Sequence, residues 1–471
     1  MTNKRPLNLF LALLPILSIV LTGLMSVVYW SSGMNIPIIT GIIVAALVGT
    51  YCGYSWDDMS EGLTNGVTRA LTPIFIIMTV GIIIATWIQG GIIPSLIYYS
   101  LKLISPQIFV PATALVTAII STAIGTSFTS LATIGLALMT TGVGLGFPAP
   151  LLAGAIISGA YFGDSLSPLS DSVNLGAAMN NVNLYDLIKH MVKTHLPALF
   201  ISLVVFFFLG QPYADGSGSN LGSIEMIMTG LENSFVIHPL LLFIPLLAMA
   251  FSIRGVEAVP SLIAIAILGA LAGFFVQGES VGSIVQAMTN GFSSETGVQL
   301  VDSLLSRGGI NSMGNTVILL ISAVALGGIL ESIGSLDLIL NKVLAYVKSD
   351  GSLVTVTVLS SLIIGISTGA QLLAIMLPAR MYHNAYIEAD LHPENLSRVS
   401  VAIGAICINL VPWSVPALFA QSVLGVSAIS FIPYIIFAYA ILIINIIYGY
   451  TGFSMRPLND EDLEGVVLEN E

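Results

Sequence analysis

Charge is scarce in this chain: only 8% of its 471 residues are Asp, Glu, Lys or Arg, against about 25% in a soluble globular protein. With 56% hydrophobic residues and a mean hydropathy of +0.97, that scarcity excludes a sizeable soluble domain. The longest polar stretches, Gln211–Ser223 and Gly291–Asn315, are too short to build one. Cysteine is scarcer still. Cys52 and Cys407 both sit in apolar runs, which excludes a disulfide framework. No Gly-x-x-x-x-Gly-Lys-[Ser/Thr] loop occurs, which argues against an ATP-driven pump. Ser, His and Asp form no nucleophile motif, and the 5 histidines show no metal-ligand spacing. Neither an enzyme nor a resident cofactor is therefore expected, and a net charge of −12 gives no hold on nucleic acid.

What is present is length enough to cross a lipid bilayer many times. About 20 apolar residues span a membrane as a helix. Clear spans are 8–30, 36–54, 70–88, 194–210, 236–253, 259–277, 314–333 and 430–450. The apolar run from Leu7 to Trp30 is too long for a signal peptide and reads as a retained first helix. Four other apolar stretches, 108–147, 150–176, 352–384 and 397–424, are interrupted by Gly, Ser, Thr or Pro near the middle. Stretch 108–147 is roughly 60 Å long as a helix, too long for one crossing. It reads as a re-entrant hairpin turning within Ala123–Ser130, and 352–384 as a second one turning at Ser367-Thr368-Gly369.

The positive charges choose between topologies. With two re-entrant hairpins and a cytoplasmic N-terminus, every Lys and Arg except Lys102 and Arg307 falls inside, 11 of 13. If each stretch crosses once, the split is 7 to 6, without bias. The positive-inside rule therefore selects an all-α polytopic membrane protein of about ten crossing helices, two re-entrant hairpins (108–147, 352–384) and two broken helices (150–176, 397–424). Both termini are then cytoplasmic, in a cell inner membrane. Segments 55–68 and 279–292 look amphipathic and are expected to lie flat at opposite surfaces.

An internal repeat is visible. Gly53 and Thr64-Asn65-Gly66 recur as Gly278 and Thr289-Asn290-Gly291 at an offset of 225, and Leu166-Ser167-Pro168-Leu169-Ser170 is echoed by Leu410-Val411-Pro412-Trp413-Ser414 at 244. Residues 1–222 thus form a first half and 223–455 a second, with 456–471 an acidic cytoplasmic tail. Five crossings per half make the second half upside down relative to the first, the architecture of secondary transporters. Two hairpin tips and two broken helices are expected to meet from opposite sides.

The chemistry concentrates between Ser158 and Leu175. A carboxylate at membrane depth is costly and usually functional. Asp164 and Asp171 lie either side of Pro168, which breaks a helix and frees backbone carbonyls. Carboxylates, hydroxyls and free carbonyls are the hard oxygen ligands that suit Na⁺. Asp164 is the first candidate for the coupling group and for a Na⁺ site; Asp171, Ser167, Ser170 and Asn174 follow. Thr126, Ser127 and Thr129 at the first tip, Ser367 and Thr368 at the second, and Asn409 on the second broken helix complete the set. Gln371 and Arg380 are candidates for a solute site. Glu331 reads as an interfacial glutamate. A buried carboxylate that holds either a proton or Na⁺ is suited to exchange one for the other.

The run Gly163-Asp164-Ser165-Leu166-Ser167-Pro168-Leu169-Ser170-Asp171 is similar to the Gly-Asp-x-x-Ser-Pro-x-Ser-Asp signature of the NhaC-type Na⁺/H⁺ antiporter family. Leu396-Ser397-Arg398 and Leu410-Val411-Pro412-Trp413-Ser414 also resemble that family's second half. The resemblance implies Na⁺/H⁺ antiport, or in some members exchange of malate for lactate coupled to those ions. It also implies kinship with the ion-transporter superfamily of paired hairpins, often homodimers that move one domain like an elevator. Asp164 and Asp171 carry over as ion-site candidates. One departure stands out: where many members continue Thr-Leu-Glu-Asp-Ser-Gly after Leu-Ser-Arg, this chain has Val401 and Ala402 in place of the acidic pair. That keeps open an alternative, a Na⁺-coupled symporter or exchanger of a small amino acid or carboxylate.

Overall fold

Inside a bilayer the backbone has no water to bond, so long apolar runs satisfy their own N–H and C=O groups as helices. The computed structural model describes residues 5–30, 32–103, 106–214, 219–254 and 256–459, and no strand occurs among them beyond one isolated bridge, Leu391 with Pro457. The tail from Asp460 lies outside the described residues. Helices α1 (Leu9–Leu24) and α2 (Asn35–Cys52) pair, followed by α3 (Trp56–Arg69), α4 (Leu71–Gln89) and α5 (Ile92–Leu103). Next come α6 (Phe109–Ile124), the short α7 (Ser127–Ser130) and α8 (Leu136–Gly144), then α9 (Ala149–Ser165) and α10 (Asp171–Met179). The long α11 (Leu184–Ala214) leads to α12 (Ser219–Ser234), α13 (Phe243–Ile253), α14 (Ala258–Phe275) and α15 (Val281–Asn290). After α16 (Gln299–Leu305), α17 (Gly314–Ser332) and α18 (Ser335–Leu344) come α19 (Asp350–Thr368) and α20 (Gln371–Glu388). The chain closes with α21 (Glu394–Val401), α22 (Val415–Leu424), α23 (Ala428–Phe431) and α24 (Ile436–Thr451).

Among the described residues, 7 helices can by length and composition cross a membrane, or up to 10 if each of 3 bent pairs counts as one span. Large apolar side chains on the outside, such as Phe10, Leu47, Phe200 and Phe275, suit a lipid-facing surface. Two expected spans differ from the structure. Span 194–210 is the middle of α11, which begins at Leu184 and carries Lys189 and Lys193 in its first turns. Span 430–450 is not one straight helix, since Ala428–Tyr434 and Ile436–Thr451 meet at 54°, whereas the 98° bend between Met226–Ser234 and Pro239–Leu247 falls at the entry to span 236–253.

Both interrupted hairpin stretches double back on a glycine. Gly125 (φ 79) and Gly369 (φ 63) hold left-handed backbone, which costs glycine nothing and lets the next helix start in reverse. In the first stretch the return places Gly142 against the Phe109 ring, and Phe109 stacks on Phe147 at 5.4 Å between centroids. In the second, Thr357 bonds Tyr386 (3.1 Å) and Ser360 bonds Tyr382, rungs that hold α19 antiparallel to α20. Helix α9 runs parallel to α6 at very close range. Gly159 and Gly163 lie on the backbone of Ala114 and Ala118, and the Ser121 hydroxyl donates to Ala160 O at 2.6 Å. Small residues permit this approach where no hydrophobic force acts between helices in lipid.

The amphipathic segments pack differently from the flat lie expected of them. Helix α3 runs antiparallel along α17, with Gly62 on Gly328 and Ser332, and Gly66 on Val324 and Gly328. Its apolar face covers a neighbouring helix rather than the lipid surface. Helix α15 runs beside α4, with Gln89 donating to Ser283 at 2.7 Å.

Because a Cβ on Gly328 would fall 2.0 Å from the Gly62 carbonyl oxygen, Gly328→Val is expected to cost about 1–3 kcal/mol by overpacking. The purified protein should melt several degrees lower. Gly144→Ala, with nothing within 4 Å of the new Cβ, should melt like wild type. An unchanged melt for Gly328→Val contradicts the glycine contact.

Candidate ion site between two tips and two breaks

Helix α9 stops just past Asp164 because Pro168 offers no N–H to continue it. The chain tightens there, with Leu166 N bonding Gly163 O and Ser167 N bonding Asp164 O, and restarts at α10 with Ser170 as the preceding residue. The first tip is placed on this break: Gly125 lies against Ser167 and Leu169. The Ser127 hydroxyl therefore donates to Asp164 Oδ2 at 2.7 Å, and its backbone N–H faces the same carboxylate. Asp164 is 7% exposed, and no Lys, Arg or His pairs with it among the described residues.

Around this carboxylate lie oxygen atoms with no hydrogen-bond partner. The Tyr161 hydroxyl, one turn before Asp164 on the same face, is buried toward Ser127, Asp164 and Asn409. Ser170 Oγ faces Asp164 but makes no bond of normal length. Asn409 is fully buried; its amide N–H₂ donates to Ile406 O at 3.0 Å, which leaves Oδ1 unpartnered. Thr129 Oγ1 is also buried and unpartnered, but two residues on from Ser127 in α7 it faces away from Asp164. A buried polar atom left unsatisfied costs about 1–3 kcal/mol. Several hard oxygens and one carboxylate in the same place form a set that a bare cation would satisfy. No cluster of three or more His, Cys, Asp or Glu suited to a transition metal occurs among the described residues.

The second break brings its own tip. Val415 N bonds Gly369 O at 2.9 Å, and Trp413 Nε1 donates to Ile366 O at 2.8 Å, so α19–α20 turn on the stretch between α21 and α22. The two halves touch here: Phe128 of the first tip packs on Phe419 of α22 at 4.5 Å, and Gln371 Nε2 donates to Ser172 Oγ at 2.6 Å.

The structure thus brings together Asp164, Ser127, Ser170 and Asn409 of the expected set, and adds Tyr161. Ser167 is buried at the break, with Gly125 beside it and Leu169 N on its hydroxyl. Thr126 is half-buried at the tip. Asp171 opens α10 and is exposed, and Asn174 is exposed too, its amide donating to Pro168 O and Ser170 O as a brace for the break. Ser367 and Thr368 donate to their own helix at Ile363 O and Ile364 O. Val401 and Ala402 are fully buried, and Val401 packs on Gly176 of α10. Tyr161 reads in sequence as one more aromatic in an apolar helix; only its spacing of three from Asp164 marks it.

Beside the second tip lies a cavity of ≈ 320 Å³. Thr368, Gln371 and Arg380 line one wall, and Arg69 of α3 and Glu331 of α17 another. Glu331 is paired with Arg69 at 2.6 Å.

The sequence model of the Na⁺/H⁺ antiporter family matches residues 159–453. The chain is 34% identical to the Na⁺/H⁺ antiporter NhaC of Alkalihalophilus pseudofirmus, over 89% of this chain and 91% of that one. It is also 34% identical to the malate-2H⁺/Na⁺-lactate antiporter of Bacillus subtilis, over 87% of each. It is 33% identical to the arginine/ornithine antiporter ArcD of Halobacterium salinarum, over 98% of this chain and 95% of that one. The matched span contains the end of α9 with Asp164, both breaks and the whole second hairpin, and on these grounds, with the identity to these relatives, the chain belongs to the Na⁺/H⁺ antiporter family.

Proposed function

We propose that this protein exchanges Na⁺ for H⁺ across the membrane by alternating access, with Asp164 holding either ion in turn. The observation that carries the reading is a buried carboxylate without a basic partner, set among unpartnered oxygens where two tips and two helix breaks meet. Deprotonated and empty, such a group is costly at membrane depth. A proton or a Na⁺ ion each removes that cost, and one carboxylate does not comfortably hold both. If only loaded states reorient, inward movement of one ion is tied to outward movement of the other. Ser127, Tyr161, Ser170 and Asn409 are read as neutral ligands. Asp171 is read as a charge at the mouth of the site.

Matching local features support the expected two-fold repeat. Gly53 and Gly278 share positive φ ahead of serine-capped helices, and Ser170 and Ser414 precede the helices that restart after each break. The same reading keeps hairpins 108–147 and 352–384 re-entrant and both described ends cytoplasmic, in a cell inner membrane. The skew of basic residues supports it.

Three outcomes test it. In vesicles carrying an internal pH dye, a Na⁺ gradient should drive proton movement in wild type and not in Asp164→Asn; the loss should be at least about 100-fold, as for removal of a buried charge. Asp171→Asn should retain most of the flux, and equal loss in both variants contradicts the assignment. Asn409→Ala and Tyr161→Phe, each deleting a neutral oxygen, should raise the half-saturating Na⁺ concentration by roughly tenfold with maximal rate less affected. Because protons and Na⁺ compete for one group, wild-type half-saturation should rise as pH falls. Half-saturation independent of pH sinks the shared-carboxylate reading.

A further inference from the structure

We infer that Arg307 is a plug: it closes one of two opposed seams that lead to the ion site, and it must leave Thr140 before the site opens on that side. The side chain is placed by its backbone. Gly308 (φ 93) and Gly309 (φ 81) follow it in left-handed conformation, which other residues rarely adopt. They lay the chain on the middle of α4, where Gly309 N bonds Gly81 O at 2.7 Å and a Cβ on Gly308 would fall 2.7 Å from Ala85 N. Arg307 therefore belongs with α4. Its guanidinium reaches across to other elements. Nη2 donates to Thr140 Oγ1 on α8 at 3.1 Å, and Nη1 lies 3.2 Å from where a Cβ on Gly425 would stand, at the end of α22. Both elements lead to the ion site, since α8 returns from the first tip and Phe419 of α22 packs on Phe128 of that tip.

The chemistry of the contact suits one that breaks and reforms. Arg307 is half-buried, its Nε is buried without a partner, and no carboxylate pairs with it among the described residues. One neutral hydroxyl holds it, a weaker hold than a carboxylate gives. A permanent positive charge in the seam also repels cations, which keeps a closed side from leaking Na⁺ or protons. The opposed seam has matching parts in another arrangement. There α10 ends at Met179, and Asn181 (φ 51) answers Gly425 (φ 69) at the same offset of 244 that relates Pro168 to Pro412. Met179 and Thr368 of the second tip line the ≈ 320 Å³ cavity against α3 and α17. The arginine of that side, Arg69, is held by Glu331 at 2.6 Å. One seam thus contains a space and the other contains Arg307. The structure is one end of the transport cycle, with the ion site reached from the cavity and plugged on the side of Arg307.

This inference deepens the exchange reading and rests on it, yet the two fail separately. The test strengthens the plug: Thr140→Asp gives Arg307 a carboxylate. With the full chain in vesicles, Thr140→Asp should cut Na⁺-driven proton flux at least about tenfold, the scale of a charge-assisted bond. Adding Arg307→Gln should restore flux to within about threefold of Arg307→Gln alone, a rescue that damage to the fold does not produce. A second readout needs no transport. Met179→Cys, on the cavity, is labelled with a water-soluble maleimide, the native Cys52 and Cys407 being fully buried. Thr140→Asp should speed this labelling and Arg307→Gln should slow it, each by about threefold or more. Wild-type flux in Thr140→Asp, equal loss with and without Arg307, or labelling indifferent to both substitutions overturns the plug. No Na⁺-driven proton flux in wild type overturns the exchange reading instead, and the labelling rates then still decide for or against the plug.

Discussion

The structure turns on one unpaired carboxylate. Asp164 is buried, its carboxylate accepts from a neutral hydroxyl, and no basic side chain pairs with it among the described residues. In a protein this apolar an aspartate could have been exposed at an interface or matched with one of the 13 basic residues. Instead α9 carries it to the point where the helix fails, and the first tip seats Ser127 on it. A charge so placed is tolerated only when an ion answers it. The unpartnered oxygens of Tyr161, Ser170 and Asn409 make the same demand.

The surrounding architecture holds this site where tips and breaks meet. Two left-handed glycines reverse the chain at the tips, and two prolines stop the helices that the tips touch. The halves are joined here by Phe128 on Phe419, Gln371 on Ser172, Asn180 on Ser397 and Gly176 on Val401. Helix α3 on α17, which also joins the halves, and α6 on α9 are sealed backbone to backbone through glycine.

Much of this was legible in the sequence, for identifiable reasons. Charge is so rare that Asp164 beside Pro168 stands out, and hydroxyl-rich interruptions in long apolar stretches betray the tips. The helical class follows from apolar length, and the broken helices from the Gly, Ser, Thr and Pro that interrupt it. Periodicity could not say how a helix restarts after a break, so Asp171 and Asn174 were grouped with Asp164 although both are exposed beyond it. Tyr161 was missed because an aromatic in an apolar helix looks like packing. An amphipathic pattern does not distinguish lipid surface from a neighbouring helix. The i, i+4 pair Gly62 and Gly66 was the signal that α3 packs along α17.

The central claim is that Na⁺ and a proton contend for Asp164. The direct measurement adds Na⁺ to purified protein in weakly buffered solution and records proton release as the ion binds. The account predicts about one proton released per Na⁺ bound at pH well below the midpoint of the group's titration, falling to about half at the midpoint, with no release from Asp164→Asn. Saturable Na⁺ binding without proton release, or equal release from the variant, contradicts it.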